Sequence, residues 1–356
     1  MQPDPSVKKV LIYRLGSLGD TTVALPCFHL IERAYPNSRR VLLTNFPIHA
    51  KAPASAAVLG DSGLVQGYMR YTVGTRRPSE LLRLAREIRG FAPEVLVYLM
   101  PLRNSNAVKR DRWFFRLAGG VKRIVGLPAA ADLVRIEDPA TGMYQSEAVR
   151  LARTVRALGE AAPEKLENWS LRLTPAERDA ARLALGALAA MPLIVCGPGT
   201  KMQAKDWGQE RWRELIAKLA MRYPGYGLAL IGATEDAEVS EYAAQDWRGA
   251  KVNLCGRLSP REAAGVFEFA RVFLGPDSGP MHLAACAGVP CVIAFSARGL
   301  PGVWYPAGRQ HRVLYHKVNC FGCNLETCIA EGRKCLTSIS VEEMAAAVES
   351  ALDRVV

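Results

Sequence analysis

No apolar run in the 356 residues reaches the roughly 18 needed to cross a bilayer. The segment Met1 to Lys9 is polar and lacks the apolar core of a signal peptide, so the chain is expected to stay in the cytosol. Short-period repeats and low-complexity tracts are missing. So are a P-loop, since Gly-Lys-Ser/Thr occurs nowhere in the relevant loops, and the six-residue glycine fingerprint of dinucleotide enzymes. No RNA- or DNA-binding signature appears, which puts nucleic acid last among candidate partners. Nine cysteines are present, but without export they do not argue for a disulfide framework. Five of them (Cys27, Cys196, Cys255, Cys286 and Cys291) sit in or beside apolar segments and read as core residues.

What is there points to a globular protein of two domains, with 49% hydrophobic and 22% charged residues in 356. The net charge is +12 and unevenly placed. Residues 1–165 hold 25 Lys+Arg against 14 Asp+Glu, leaving the second half nearly neutral. Such a field suits an anionic partner, either a phosphorylated substrate or an acidic membrane face, unless it is only a solvated basic surface.

Strands and helices alternate along both halves. Lys8 to Arg14 reads as a buried strand followed by a helix from Thr21 to Ala34, and Glu94 to Leu99 as another strand. After the Gly159-to-Glu164 linker the alternation restarts with strands at 193–196, 227–231, 252–254, 272–274 and 291–295. This predicts an α/β protein with two doubly wound, Rossmann-like parallel-sheet domains, residues 1–165 and 166–356, facing across a cleft.

Three loops concentrate polar residues at strand carboxyl ends, where open α/β sheets bind ligands. Phe273 to His282 breaks at Gly275-Pro276 and presents Asp277, Ser278 and Gly279 before a helix carrying His282. Free N–H groups there suit a diphosphate and Asp277 suits sugar hydroxyls. The structural alternative makes Ser278 a helix cap and Asp277 a turn former. Gly16-Ser17-Leu18-Gly19-Asp20 leaves the first strand and aims one carboxylate from a helix start, as a general base needs. Its alternative is an ordinary capping aspartate. Gly197 to Trp207 offers Thr200, Lys201 and Lys205, and Lys205 could neutralise a departing diphosphate without a metal. His282 reads either as a site residue or as a satisfied core histidine.

These pieces resemble glycosyltransferase family 9, the heptosyltransferases of lipopolysaccharide assembly. The resemblance rests on Arg14 to Thr21, Leu25-Pro26, Lys205-Asp206-Trp207 with Trp212 and Leu215, Gly232 to Glu235, Asn253 to Gly256, and Asp277 to Pro290. It implies the two-domain GT-B fold and an inverting transferase without a catalytic cofactor, moving a sugar, foremost heptose from ADP-heptose, onto a lipopolysaccharide-core or related glycan. By position, Asp20 resembles the general base, with Gly16, Ser17 and Gly19 around it. Thr200, Lys201 and Lys205 resemble diphosphate contacts, although the family usually has a hydroxyl residue at the place of Lys201. Glu235 resembles the ribose-holding carboxylate and Leu258 the base-reading position. Asp277, Ser278, Gly279 and His282 resemble the sugar- and phosphate-holding loop. The first domain would take an anionic glycan or glycolipid acceptor, and the second the nucleotide sugar.

Cys320-x2-Cys323-x4-Cys328-x6-Cys335 places four thiols in sixteen residues, in a tail segment 320–335 that departs from the best-known members. The spacing suits a four-thiolate structural zinc or iron, against reduced thiols under a loop or disulfides formed on purification. Arg110 to Arg116 mixes aromatics with arginines, as either a core-facing helix edge or a peripheral contact with an anionic inner membrane. Other functional readings are a GT-B transferase with another donor or a protein acceptor, an epimerase, and a non-catalytic nucleotide-sugar-binding assembly protein.

Overall fold

The computed structural model describes residues 3–45 and 54–353. The chain divides into two compact units, Met1–Asp138 with Gln145–Arg172, and Pro139–Tyr144 with Leu173–Val356.

The first unit is a five-stranded parallel sheet in the order β3-β2-β1-β4-β5, formed by β1 (Lys9–Tyr13), β2 (Arg39–Asn45), β3 (Gly67–Tyr71), β4 (Val95–Tyr98) and β5 (Arg123–Val125). β1 and β4 are apolar on both faces because helices cover both. One face packs Leu11, Tyr13, Val41, Leu43, Leu96 and Tyr98 against Leu84, Ile88 and Phe115 of the helical layer above. Every second residue of a strand points that way. The helix expected from Thr21 to Ala34 is two helices, Leu18–Thr22 and Leu25–Ala34. Pro26 has no N–H to donate, so it sits in the first turn of a new helix rather than inside a continuous one.

The second unit is a six-stranded parallel sheet in the order β8-β7-β6-β9-β10-β11, from β6 (Leu193–Cys196), β7 (Gly227–Leu230), β8 (Lys251–Asn253), β9 (Ala270–Pro276), β10 (Cys291–Ala294) and β11 (Arg312–Leu314). In each sheet the strand order reverses next to the first strand, between β1 and β4 and between β6 and β9. Connections diverge there, which leaves a crevice at the carboxyl ends.

The core of the second unit reaches up to that crevice. Trp207 and Trp212 are both fully buried and meet edge to face at 4.7 Å between ring centres. The Trp207 indole Nε1–H donates to the Ile339 carbonyl at 3.1 Å. A buried indole of this kind carries a large apolar area and a satisfied polar end, so it anchors the loop that ends in it. Trp207→Ala is predicted to lower unfolding free energy by about 3–5 kcal/mol in denaturant titrations. A loss below about 1 kcal/mol would show that the loop is held by other contacts.

Candidate functional site

In the first unit the candidate loop leaves β1 at Arg14. That side chain is wholly buried, and its guanidinium donates to the Leu99 carbonyl at 3.1 Å and to the Asp20 carbonyl at 2.5 Å. It thereby joins the loops that follow β1 and β4, the two strands at the order reversal. Burial pulls the Arg14 pKa below its ordinary value, while the charges of Asp20 and Glu147 oppose the shift. Glu147 is itself buried and paired with Arg150 at 2.7 Å and Arg135 at 2.9 Å. Arg150 in turn donates to the Met100 carbonyl at 2.8 Å. Two buried arginines therefore hold the backbone after β4.

Asp20 stands in the first turn of the Leu18–Thr22 helix. Its Oδ2 accepts from the Ser17 N–H at 2.8 Å and the Ser17 hydroxyl at 2.9 Å, a capping box in which Ser17 is the cap residue. Asp20 is thus not itself the cap residue, and its bonds back to Ser17 orient the carboxylate. Oδ1 has no hydrogen-bond partner among the described residues. Gly16 makes this fit: its φ is +146°, and a Cβ there would stand 2.2 Å from the Asp20 Cβ. The Gly16 N–H donates to Asn45 Oδ1 at 2.7 Å, so the carboxyl end of β2 also steadies the loop. Gly19 lies within the same helical turn.

In the second unit the loops after β6 and β9 meet at the order reversal. Lys205 Nζ lies 2.7 Å from Asp277 Oδ2, with both side chains largely shielded. The loop after β6 is closed by a short turn at Gln203–Lys205, and the Ser296 hydroxyl donates to the Ala204 carbonyl at 2.7 Å. Thr200 is half-buried, with its hydroxyl accepting weakly from the Met202 N–H at 3.4 Å, and Lys201 is exposed. Ser278 occupies the cap position of the Gly279–Cys286 helix but makes no capping bond, and its Oγ is a shielded hydroxyl without a partner among the described residues. The cap reading of Ser278 is therefore corrected: its backbone conformation suits a cap, but its hydroxyl is unused. His282 is buried on the same helix.

Glu235 is exposed on the loop after β7, and Leu258 is half-buried on the loop after β8. The β7 loop packs against the β6 loop because Gly199 has no side chain; a Cβ there would stand 2.2 Å from the Asp236 carboxyl carbon. The structure thus brings Lys205, Asp277 and Ser278 together, with Thr200, Glu235 and Leu258 on neighbouring loops at the same sheet end.

Sequence reasoning missed Asn45 and Tyr305. Asn45 could have been found as a polar residue ending an apolar strand. Tyr305 gives no such signal. Burial raises its phenol pKa, and the negative charge of Asp277 acts in the same direction. Its ring meets Phe295 at 4.8 Å.

The four-thiolate site is not formed. Among the described residues no three His, Cys, Asp or Glu side chains are grouped to hold a metal ion. Gln203 Oε1 accepts from the Cys328 N–H at 2.8 Å, and the Gly322 and Asn324 N–H groups donate to Ala297 and Arg298. Cys335 is turned inward beside the Ser296 hydroxyl, while Cys323 is exposed. The segment packs along the loops after β6 and β10.

The chain matches the crystal structure of a family 9 glycosyl transferase from Veillonella parvula with TM-score 0.71, covering 99% of both chains at 18% identity. It matches an ADP-heptose lipopolysaccharide heptosyltransferase II of Escherichia coli with TM-score 0.67, over 97% of this chain and 99% of that one, at 18% identity. These likenesses show the fold, two parallel-sheet α/β units of the GT-B kind. Among curated sequences it is 26% identical over 370 residues to lipopolysaccharide heptosyltransferase 1 of Pseudomonas aeruginosa, covering 97% of this chain and 98% of that one. The family model for glycosyltransferase family 9 (heptosyltransferase) matches residues 128–333, more than half of the chain. The chain belongs to glycosyltransferase family 9 and is a glycosyltransferase, which sets aside the non-catalytic reading.

Gly16→Ala is predicted to push the Asp20 carboxylate aside and reduce transfer about 100-fold while nucleotide-sugar affinity stays within a few fold. Steady-state transfer kinetics paired with calorimetric donor binding read both quantities. Unchanged turnover would mean that this loop does not set the reacting geometry.

Proposed function

We propose that this enzyme transfers a heptose from ADP-heptose to a lipopolysaccharide-core or related glycan acceptor, with inversion at the anomeric carbon. Family membership supports heptosyl transfer, and the names of the matched relatives support the donor and the acceptor class. The observation that carries the reading is the Lys205–Asp277 pair beside the unpartnered Ser278 hydroxyl, at the order reversal of the second sheet.

In this reading the second unit binds the donor. Lys205, Thr200 and Lys201 face the diphosphate, Glu235 holds the ribose hydroxyls, and a backbone group at Leu258 reads the base. Asp277, Ser278, Gly279 and His282 hold the sugar and its phosphate. The first unit, which carries most of the positive charge, takes the anionic acceptor. The Asp20 carboxylate accepts the proton of the acceptor hydroxyl as that oxygen attacks the anomeric carbon. The bond from that carbon to the phosphate oxygen breaks on the opposite side, and ADP departs with one additional negative charge. Lys205, already held close to an anion, balances that charge as it develops, which is why the proposed reaction needs no catalytic metal or other cofactor. Work on the cytoplasmic face, where nucleotide sugars are made, fits this substrate pair.

Asp20→Asn retains an acceptor atom for the Ser17 bonds but cannot take a proton. It is predicted to cut transfer by about 10² to 10⁴ while ADP-heptose binding holds within a few fold. Near-normal turnover with lost donor affinity would remove the general-base assignment.

A further inference from the structure

The first unit carries a second unusual surface on the helical layer over its sheet. Between Arg76 and Arg123 the chain holds 12 Lys+Arg and 4 Asp+Glu, so this stretch supplies +8 of the chain's +12. It contains the Pro78–Phe91 and Ser105–Trp113 helices and the five-residue wide turn Phe114–Ala118. The Pro78–Phe91 helix meets the wide turn: the Arg89 guanidinium donates to the Leu117 carbonyl at 2.9 Å, and Leu84, Ile88 and Phe115 share one core cluster beneath.

The acidic residues of the stretch are mostly used locally. Asp111 is buried and paired with Arg103 and Arg110, and Glu87 pairs with Arg83. Arg86, Arg89, Lys109, Arg112, Arg116 and Lys122 are exposed and pair with no carboxylate among the described residues. Large apolar side chains stand among them. Trp113 is 62% exposed, Leu117 67% and Leu82 51%. The wide turn produces this arrangement, because Phe115 stays inside against Tyr13, 5.0 Å between ring centres, while Trp113 and Leu117 face out. A soluble surface gains nothing from exposing a tryptophan and leucines in the middle of unpaired arginines.

We infer that this face docks the enzyme onto an anionic phospholipid bilayer. Arginines and lysines at a membrane surface meet the lipid phosphates and the negative surface potential, and the neighbouring tryptophan and leucines enter the interface below them. A nucleic acid would use the charges but not the aliphatic side chains, since only flat rings stack on bases. The inference stands apart from the assignments of donor and base, because it concerns a surface that plays no part in them.

The test uses the full chain without donor or acceptor. Large vesicles of phosphatidylcholine alone, or mixed equally with phosphatidylglycerol, are sedimented with the protein at low and high salt. Trp113 is the only exposed tryptophan among the described residues, so the part of the emission that Trp113→Phe removes reports on the contact. The expected result is binding to phosphatidylglycerol vesicles alone, weakened by salt, with blue-shifted Trp113 emission quenched by brominated lipid. Arg112→Gln/Arg116→Gln should weaken partitioning more than tenfold, and Trp113→Ala/Leu117→Ala should weaken it with the charges intact. Unchanged melting temperatures establish that the variants are folded. No partitioning, partitioning that these variants do not alter, or tight binding to a single-stranded oligonucleotide in place of vesicles would overturn the inference.

Discussion

The contact on which the functional architecture turns is the ion pair between Lys205 and Asp277. Its two residues come from loops that follow adjacent strands whose onward connections run to opposite sides of the sheet. Nothing else in a parallel sheet guarantees an open crevice at that place. A lysine and an aspartate kept close there are largely shielded, and on the proposed reading they meet the donor's diphosphate and its sugar hydroxyls. The buried Trp207 beneath the loop and the Ser296 hydroxyl on the Ala204 carbonyl keep that lysine from drifting.

The first unit solves a similar problem with different chemistry. Its crevice lies between β1 and β4, and a buried guanidinium bonded to main-chain carbonyls, not an ion pair, joins the loops across it. Arg14 bonds to main-chain carbonyls and leaves the carboxylate of Asp20 to Ser17 and to whatever approaches Oδ1. Gly16 lets the carboxylate sit close against its own backbone, and the capping box supplies its direction. A capping-box partner and a base are thus compatible roles for one residue, because a carboxylate has two oxygens.

Much of this was legible in the sequence. Apolar runs broken at regular intervals by Gly, Pro and Asp announce buried parallel strands with polar loops at one end, and the loops at Gly16–Asp20, Gly197–Trp207 and Asp277–Gly279 declare themselves by residue type. Arg14 was not legible as a strut, because a charged residue closing an apolar strand looks the same whether its side chain turns outward or under the loop. Tyr305 and Ser296 were hidden for a different reason. They reach the neighbourhood of Asp277 and Ala204 only through the sheet order, which no local spacing encodes. The cysteine spacing describes where thiols lie along the chain, whereas hydrogen bonds to Gln203, Ala297 and Arg298 fix where the backbone goes.

The central claim is that the second unit holds an ADP-linked heptose through the Lys205 and Asp277 loops. Its most direct test is a thermal-shift titration of the purified protein against ADP-heptose and against GDP-, UDP- and dTDP-sugars, since a ligand that binds only the folded chain raises the melting temperature as its concentration exceeds its dissociation constant. The account predicts a saturable rise with ADP-heptose alone, reduced in Lys205→Ala. A rise with another nucleotide sugar and none with ADP-heptose would contradict it.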